Sequence, residues 1–450
     1  MAFVFAHLSE ERLAFKIAEQ MRLPANTRPE VRLLRLISKM PGLQKIGQVL
    51  ARNRHLSAPV RRELSKLENG IADVSAKQIL TVIEEQLGSR LNKYSVDIEP
   101  AIFSEASVSA VVRFTWRNPE SGARERGVFK VLKPHVPEFF AEDMSLLKKL
   151  GVFLTSKDRE YQFAVRDIAE VIDEARLLLE NELHFAREQK MLLQAARIYK
   201  YTFGVRVPRL IQPLCTPVIT AMTEERGVKV TEAFRNSPSR RARIAEQLVG
   251  AILSTPLLSS AEQVIFHADP HAGNLLYDEK RRELVILDWA LAQPLNRRMR
   301  RLIAMFAIMI ALRNGEKARQ ALVQLSARRG RLPAEEARRI SGWIEQFLRE
   351  LPAGRQPTGL QIMHLLDRMA LDGVRFPMAL AMFRKVVFTL DGVLNDVAGA
   401  GVRLDAIIAR DYITRWLASY GTSLAPLSIS DWMLIQASAL RFGARALLAA

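Results

Sequence analysis

The most informative part of this sequence is the motif HADPHAGN at residues 267–274, which is followed by LVILDWA at 284–290. Asp269 and Asn274 are five residues apart, and Asp288 follows Asp269 by nineteen. Phosphoryl transfer needs a carboxylate to orient the attacking hydroxyl or water, and an amide and a second carboxylate to hold Mg²⁺ against the phosphates. These three residues occur in the order and spacing of a kinase catalytic loop and the metal-binding hairpin after it. The alternative is a polar turn in which Asn274 ends the loop and Asp288 caps the next element. The histidine two residues before Asp269 and the strand-Asp-aromatic sequence after it favour phosphoryl transfer.

A kinase-like site also needs a lysine on a strand and a glutamate from a helix to orient it. The apolar segment VFKV supplies Lys130, which would be costly to bury unpaired, so we expect a carboxylate partner. Lys133, at the end of the same segment, is predicted to lie in water. The partner should come from a long helical stretch, roughly 163–201. Glu182 and Glu188 are the candidates there; six residues place them about 120° apart on a helix, so both cannot face Lys130, and we predict Glu188 as the partner.

The pattern of residue types changes along the chain and predicts an α+β protein of three parts. Residues 1–90 are predicted to form a helical N-terminal extension. Residues 91–222 combine short β-branched and aromatic segments, typical of a small antiparallel sheet, with one long helix. Residues 223–450 are mainly helical and carry the loop-and-hairpin stretch quoted above. VPRLIQPL and PVITAMTEERG, at 207–214 and 217–227, are predicted as two further strands.

Composition narrows the classes of function. The chain has 450 residues and a formal net charge of +18, which favours an anionic partner such as a nucleotide or an acidic membrane surface. Its single cysteine, Cys215, excludes a disulfide framework and any multi-cysteine metal site. No uncharged apolar run reaches the roughly 18 residues of a membrane span. Only the net charge favours nucleic acid, so we expect none.

One expected feature of ordinary protein kinases is missing: no Gly-rich loop precedes Lys130, and Ser-Glu-Ala-Ser stands at 104–107 instead. The motifs that are present resemble those of the UbiB family of atypical, protein-kinase-like proteins from about Pro41 to Leu295. The motifs that carry the resemblance are KxGQ (Lys45–Gln48), the end of an alanine-rich loop (Ala106-Ser107), VFKVLKP, an altered ExD…RE signature (Glu182, His184, Arg187-Glu188), HADPHxGNLL and LDWA.

The resemblance implies a two-lobed atypical kinase fold with a helical N-terminal extension and a mainly helical C-terminal lobe. It implies ATP and Mg²⁺ as cofactors, with Asp269, Lys130 and Glu188 catalytic and Asn274 and Asp288 on the metal. Further residues are implied in three roles: contact with the nucleotide by Ala106, Ser107, Met222 and Glu224; a substrate-pocket or regulatory role for Lys45, Gln48, Glu182 and His184; and a structural brace at His267.

By the same resemblance, Lys45 projects where a protein kinase binds its peptide substrate. This implies ATP hydrolysis, or phosphorylation of a small or lipid-like substrate, in support of isoprenoid-quinone (ubiquinone) or related lipid metabolism. A nucleotide is the expected partner, with a lipid or isoprenoid molecule and an anionic membrane surface as further candidates. We expect a cytoplasmic location, with peripheral attachment at the inner face of a membrane left open. A dimer is equally open.

Three departures from the family pattern motivate other interpretations: His184 replaces the usual aspartate, Glu105 stands in the alanine-rich loop, and Ala290 replaces the glycine of DFG. A catalytically quiet, nucleotide-binding pseudokinase scaffold is the main alternative. A small-molecule phosphotransferase of the aminoglycoside or choline kinase type shares the HxDxxxxN pattern but not KxGQ. A metallohydrolase built on His267, Asp269 and His271 explains neither Lys130 nor Asp288.

Overall fold

The computed structural model describes residues 2–51, 62, 64, 73–156, 172, 175–176, 179–326, 332–352, 355–399, 401–422 and 424–449. The helix predicted after Ser57 and Pro59 lies outside these residues. So does the side chain of Gln48, within a helix whose backbone is described. The chain divides into two compact units, Met1–Leu193 with Pro208–Glu225, and Gln194–Val207 with Arg226–Ala450.

Helices dominate the described part of the chain. Numbered along it, they are α1 Ala2–Phe5, α2 Glu10–Met21, α3 Pro29–Ile37, α4 Pro41–Ala51, α5 Ala76–Leu87, α6 Ser89–Lys93, α7 His135–Ser156, α8 Phe185–Tyr199, α9 Pro238–Val249, α10 Thr255–Leu257, α11 Arg297–Ala311, α12 Gly315–Ser326, α13 Ala334–Glu350, α14 Gly359–Leu371, α15 Met378–Ala398, α16 Leu404–Ala418 and α17 Ile429–Ala449. The strands are β1 Asp97–Glu105, β2 Ser109–Arg117, β3 Arg124–Leu132, β4 Val205–Arg206, β5 Ile219–Thr223, β6 Val228–Lys229, β7 Gln263–Phe266, β8 Leu275–Asp278, β9 Glu283–Ile286 and β10 Gln293–Asn296.

The first unit contains the predicted antiparallel sheet, in the order β1-β2-β3-β5. Strand β2 alternates as expected for a half-buried strand, with Ala110, Val112, Phe114 and Trp116 buried in a core shared with α5. Strand β3 is buried along its last four residues, so both of its faces are covered. Gly127 is required in β3 because an added Cβ would lie 2.5 Å from the Phe114 ring.

Two predicted elements of the first unit differ from the structure. Residues 207–214 form no strand; instead, Leu210 makes an isolated bridge to Met222, and Gln212–Leu214 is a 3₁₀ turn. The long helix predicted over 163–201 is interrupted at His184, between helical backbone at 179–183 and α8. Glu182 and Glu188 therefore lie on separate helical segments, so the angle expected for one continuous helix does not apply.

Helix α2 buries a charged face. Its apolar residues Ile17 and Met21 are exposed, whereas Arg12, Lys16 and Glu19 are buried. The Lys16 ammonium donates to Glu19 Oε2 at 2.8 Å and to the carbonyl of Ser38, and burial lowers its pKa. Each buried charge thus has a partner, which is the condition for burying it.

The second unit contains two small sheets among helices. Strands β7 and β10 form one sheet, and the order β4-β9-β8-β6 describes the other. The predicted hairpin of the key stretch is β8 and β9, which pair antiparallel from Leu275–Ile286 to Asp278–Glu283. Helix α11 is a core helix, with Phe306, Met309 and Ile310 almost wholly buried. Among the described residues, no helix is long and apolar enough to cross a bilayer.

Candidate functional site

The first unit joins the predicted strand lysine to the predicted helix glutamate. Lys130 Nζ on β3 lies 2.7 Å from Glu188 Oε1 on α8, and both side chains are buried. The ammonium also lies 5.7 Å from the centre of the Phe185 ring. Removing one member of a buried pair leaves an uncompensated charge, which typically costs about 3–5 kcal/mol. The pair therefore fixes the lysine at a defined point on the sheet.

A second ion pair joins the KxGQ helix to the segment before α8. Lys45, on α4, pairs with Glu182 Oε1, and the second carboxylate oxygen accepts a hydrogen bond from Ser107 Oγ at 3.3 Å. Lys45 is itself buried, together with its helix neighbours Leu43 and Ile46. Glu182 thus connects the KxGQ helix with the turn between β1 and β2.

His184, the other residue of this segment with a predicted pocket role, makes a different contact. His184 is exposed at the helix break, where its Nδ1 contacts the backbone oxygen of Glu180. The structure therefore assigns His184 a local backbone contact.

The turn between β1 and β2 carries the two residues predicted to meet the nucleotide phosphates. Ala106 is exposed and its backbone N–H donates to the Ser109 oxygen at 2.8 Å, which closes a tight turn. Ser107 is buried, and its hydroxyl is engaged by Glu182. Because the Ala106 N–H is used within the turn, the Ser107 backbone N–H is the group suited to contact an anion here.

Met222 and Glu224, two further residues predicted to contact the nucleotide, lie near the end of β5 and just after it. Met222 pairs with Val128 across the sheet, which places it two residues along β3 from Lys130. The Glu224 carboxylate is held by Arg113 Nε at 2.7 Å and Arg126 Nε at 2.5 Å. Because its side chain is occupied in this way, any contact of Glu224 with a base would be made through its backbone.

Lys133 is the residue that the sequence analysis placed wrongly. Instead of lying in water it is fully buried, with its Nζ 2.6 Å from Asp73 Oδ1 and 2.8 Å from Glu105 Oε1. Neither carboxylate was predicted to take part in the site. The available signal was the apolar run VFKVL, because a strand that is apolar on both faces is covered on both faces.

In the second unit, His267 braces the loop that carries Asp269. The ring is buried; its Nε2 lies 2.8 Å from the Leu287 oxygen, and its Nδ1 accepts from the Asp269 backbone N–H at 3.3 Å. One nitrogen donating and the other accepting is the pattern of a neutral imidazole. Burial, the largest effect, lowers the pKa of His267 and favours the same form.

The rest of the loop is held mainly by backbone groups. Asn274 Nδ2 donates to the Asp269 carbonyl at 3.1 Å, and the Leu287 N–H donates to the Asn274 carbonyl at 2.9 Å. His271 Nε2 lies 3.7 Å from Asp269 Oδ2. The structure therefore brings Asp269, Asn274 and the residue just before Asp288 into one hydrogen-bonded group.

Asp288 leaves β9 in an unusual backbone conformation, with φ of +51°. Such angles are uncommon outside glycine, and Asp is among the residues that tolerate them. Its Oδ1 accepts from the Ala290 N–H at 3.1 Å, so Ala290, which replaces glycine, is not the strained residue. Trp289 is buried beside His267, with the ring centres 5.0 Å apart, and its Nε1 donates to the Ile286 oxygen.

The donors of this loop suit Mg²⁺ shared with phosphates. Among the described residues, no three His, Cys, Asp or Glu side chains form a metal-binding cluster. Mg²⁺, however, is usually bound by one or two carboxylates together with substrate phosphates. Asn274 uses its amide nitrogen on Asp269, and its amide oxygen, like the Asp288 carboxylate, is a ligand of the required type.

Comparison with known proteins identifies the family of this chain. The family model described as the ABC1 atypical kinase-like domain matches residues 66–322. The chain is 24% identical to the probable protein kinase UbiB of Glaesserella parasuis over 65% of this chain and 52% of that protein. It is also 24% identical to Protein ACTIVITY OF BC1 COMPLEX KINASE 7, chloroplastic, of Arabidopsis thaliana, over 74% of this chain and 46% of that protein.

An uncharacterised Synechocystis protein is 25% identical over 80% of this chain and 60% of its own length. The chain thus spans roughly half to two thirds of the curated relatives it matches. A structure of a Mycobacterium tuberculosis protein, Rv3197, in complex with erythromycin aligns with a TM-score of 0.48 at 18% identity, covering 89% of this chain and 97% of that one. With the family model matched over more than half of its length and several UbiB relatives among its matches, the chain belongs to the ABC1 (UbiB) family of atypical kinase-like proteins.

Proposed function

We propose that this chain is an atypical phosphotransferase or ATPase that binds ATP with Mg²⁺. The observation that carries the proposal is the buried Lys130–Glu188 pair, with its Nζ–Oε1 distance of 2.7 Å. A lysine oriented in this way by a helix glutamate is the arrangement that kinases use for the α- and β-phosphates. Both partners are buried in the first unit, so the pair is poorly explained as a solvent-exposed surface pair with a purely structural role.

The residues of the first unit bind the nucleotide in this proposal. Lys130 binds the phosphates, and the backbone N–H of Ser107 in the turn between β1 and β2 supports it. The backbone at Met222, near the end of β5, and at Glu224, just after it, meets the adenine. The Glu224 side chain is held by Arg113 and Arg126, which keeps this backbone in place.

The residues of the second unit supply the metal ligands and the catalytic carboxylate. Asn274 and Asp288 bind Mg²⁺, which neutralises charge on the phosphates. Asp269 orients the acceptor hydroxyl or water. Its side chain is 22% exposed, so it is accessible to an acceptor, while His267 behind it holds the loop backbone.

The proposed acceptor is small or lipid-like, in support of isoprenoid-quinone (ubiquinone) or related lipid metabolism. Support comes from the UbiB name of several relatives and from the Lys45–Glu182 pair, which joins the KxGQ helix to the segment before α8. We further propose a cytoplasmic location with peripheral attachment to an anionic membrane, which the net charge of +18 favours.

A catalytically quiet nucleotide-binding scaffold is the second candidate function. It is favoured by His184, which is exposed and contacts only the local backbone among its described hydrogen bonds, where the family pattern has an aspartate. Against it stands the retention of Lys130, Asp269, Asn274 and Asp288.

Phosphate release from ATP separates the two candidates. We expect Mg²⁺-dependent release by the wild type and a loss of at least about 100-fold in kcat for Asp269→Asn, with nucleotide binding retained, since the change removes a group that acts in the reaction. Asp97→Asn is the matched control, because Asp97 lies at an exposed position of β1. Binding without any release by the wild type would favour the scaffold.

A further inference from the structure

Lys133 stands three residues beyond the proposed nucleotide lysine, at a position that the proposed function does not use. It is fully buried, and its ammonium is shared by Asp73 at 2.6 Å and Glu105 at 2.8 Å. A lysine loses much side-chain entropy and hydration when it is buried. The two short contacts, to carboxylates from different parts of the chain, offset this cost and are therefore a specific feature of the fold.

The two carboxylates connect the lysine to different segments of the first unit. Glu105 is the last residue of β1, directly before the turn at 106–108. Asp73 precedes α5, donates its N–H to the same Glu105 oxygen at 2.8 Å, and accepts the Lys39 N–H at 3.2 Å. Glu105 Oε1 thus receives hydrogen bonds from both Lys133 and Asp73.

The turn that follows Glu105 is consequently held from both ends. On one side, Glu105 is bound by Lys133, whose own backbone N–H donates to the Val108 oxygen at 3.0 Å. On the other side, Ser107 Oγ donates to Glu182, which Lys45 also binds. Between these contacts only Ala106 is exposed.

We propose that Lys133 and Glu105 are positioning residues that hold the backbone of the turn at 106–107 in its nucleotide-binding conformation. The inference rests on the proposed function, in which the Ser107 N–H of this turn meets the phosphates. Neither side chain touches the nucleotide. The pair therefore sets how well ATP binds, through the cost of ordering the turn, and leaves the reaction at Asp269 unchanged.

Glu105→Gln tests this most cleanly. The amide keeps the volume and one acceptor oxygen, and Lys133 and Asp73 remain paired one to one, so the first unit should still fold. Glu99→Gln is the matched control: the same change on the same strand, at a residue that is half exposed and 3.3 Å from Arg126.

Two measurements on the full-length protein are needed: steady-state ATP turnover, and hydrogen–deuterium exchange of the peptide covering 104–110 without nucleotide. For Glu105→Gln we expect an increase of about tenfold in KM for ATP with kcat within about twofold, because the hydrogen bond from the Lys133 ammonium then goes to a neutral oxygen and is weaker. We also expect faster exchange in this peptide. Glu99→Gln should match the wild type in both measurements.

Equal exchange and equal KM in the two variants would overturn the inference, as would a fall in kcat without a change in KM. If the wild type itself neither binds nor turns over ATP, the proposed function fails and the nucleotide role of the turn falls with it. Exchange distinguishes that failure from the other, because faster exchange in Glu105→Gln would still show that Glu105 holds the turn.

Discussion

The two units hold their candidate functional residues by different physical means. In the first unit, three lysines are held by largely buried carboxylates. The pairs are Lys130 with Glu188, Lys133 with Asp73 and Glu105, and Lys45 with Glu182. In the second, the loop of Asp269 is fixed by neutral hydrogen bonds to backbone groups and by the packing of Trp289 on His267.

The difference follows from what each unit is proposed to bind. A lysine that must meet phosphates has to be held without being neutralised by proton loss, and a carboxylate partner favours its charged form. In the second unit, the hydrogen bonds described for the loop of the proposed Mg²⁺ ligands go mainly to backbone groups, which orient the loop. The first unit should therefore be the more sensitive to removal of single charges.

The largest effect is expected for Lys133→Met. It leaves Asp73 and Glu105 buried without their cation, and we expect a loss of about 3–5 kcal/mol in the unfolding free energy of the first unit. Urea titration followed by hydrogen exchange of the β1–β3 peptides measures it. Arg124→Met is the control, because its pair with Asp97 is exposed at both ends and such pairs contribute at most about 1 kcal/mol. Similar losses in both variants would remove the contrast between buried and exposed pairs.

Lys130→Met should act on function more than the other single changes in the first unit. We expect at least about a 100-fold loss in kcat/KM for ATP, since a preorganised charge at the phosphates is removed. Lys93→Met, a replacement of a lysine that lies outside the sheet, provides the comparison in the same assay. A Lys130→Met protein with kcat/KM within a factor of about two of the wild type would contradict the role given to this residue.

His267→Phe tests the neutral bracing of the second unit. The change keeps a ring beside Trp289 but loses the contacts with Leu287 and Asp269, so we expect a loss of about 1–3 kcal/mol and a lower kcat. His364→Phe is matched to it, because His364 is exposed and contacts the Phe388 ring. Urea midpoints and ATP turnover should change for the first variant only. A fully stable and active His267→Phe would show that the loop needs no brace.

A smaller, pH-dependent effect should arise from His135 at the start of α7. Burial, and secondarily the nearby Lys133, Lys39 and Arg12, lower its pKa from 6.5 to about 4. The unfolded chain therefore binds a proton more readily, so this contribution to stability is complete above pH 6.5 and declines as the pH falls toward about 4. Urea midpoints across this range should fall less steeply in His135→Phe than in the wild type. Parallel curves would refute this assignment of the pH dependence.

Much of this contrast could be predicted from the sequence wherever a general physical rule applied, such as the free-energy cost of burying a charge. The cost of burying Lys130 in an apolar strand predicted a partner, and the structure places Glu188 there. The spacing of Asp269, Asn274 and Asp288 predicted a loop and hairpin, which the structure contains. Both inferences used residues close in sequence or a rule that holds in any fold.

The residues that were misplaced depend on distant segments. Lys133 lies just after the end of β3, and nothing local reveals that Asp73, sixty residues earlier, contacts it there. Helix α2 has an apolar periodicity that suggests the wrong buried side, because Asp143 and Ser38 supply partners for Arg12 and Lys16. Long-range ion pairs leave no periodic trace in the sequence.

Nucleotide-dependent thermal stabilisation tests the central claim most directly. The full-length wild type and Asp288→Asn would be titrated with ATP and ADP, with and without Mg²⁺, and Asp97→Asn would serve as the exposed control. A ligand at about 100 times its Kd stabilises the folded state by about 2.7 kcal/mol, which raises the melting temperature measurably. We predict a Mg²⁺-dependent rise in the wild type and the control that is lost in Asp288→Asn. No rise up to about millimolar nucleotide, or an equal rise in all three proteins, would contradict a Mg-ATP site built on these residues.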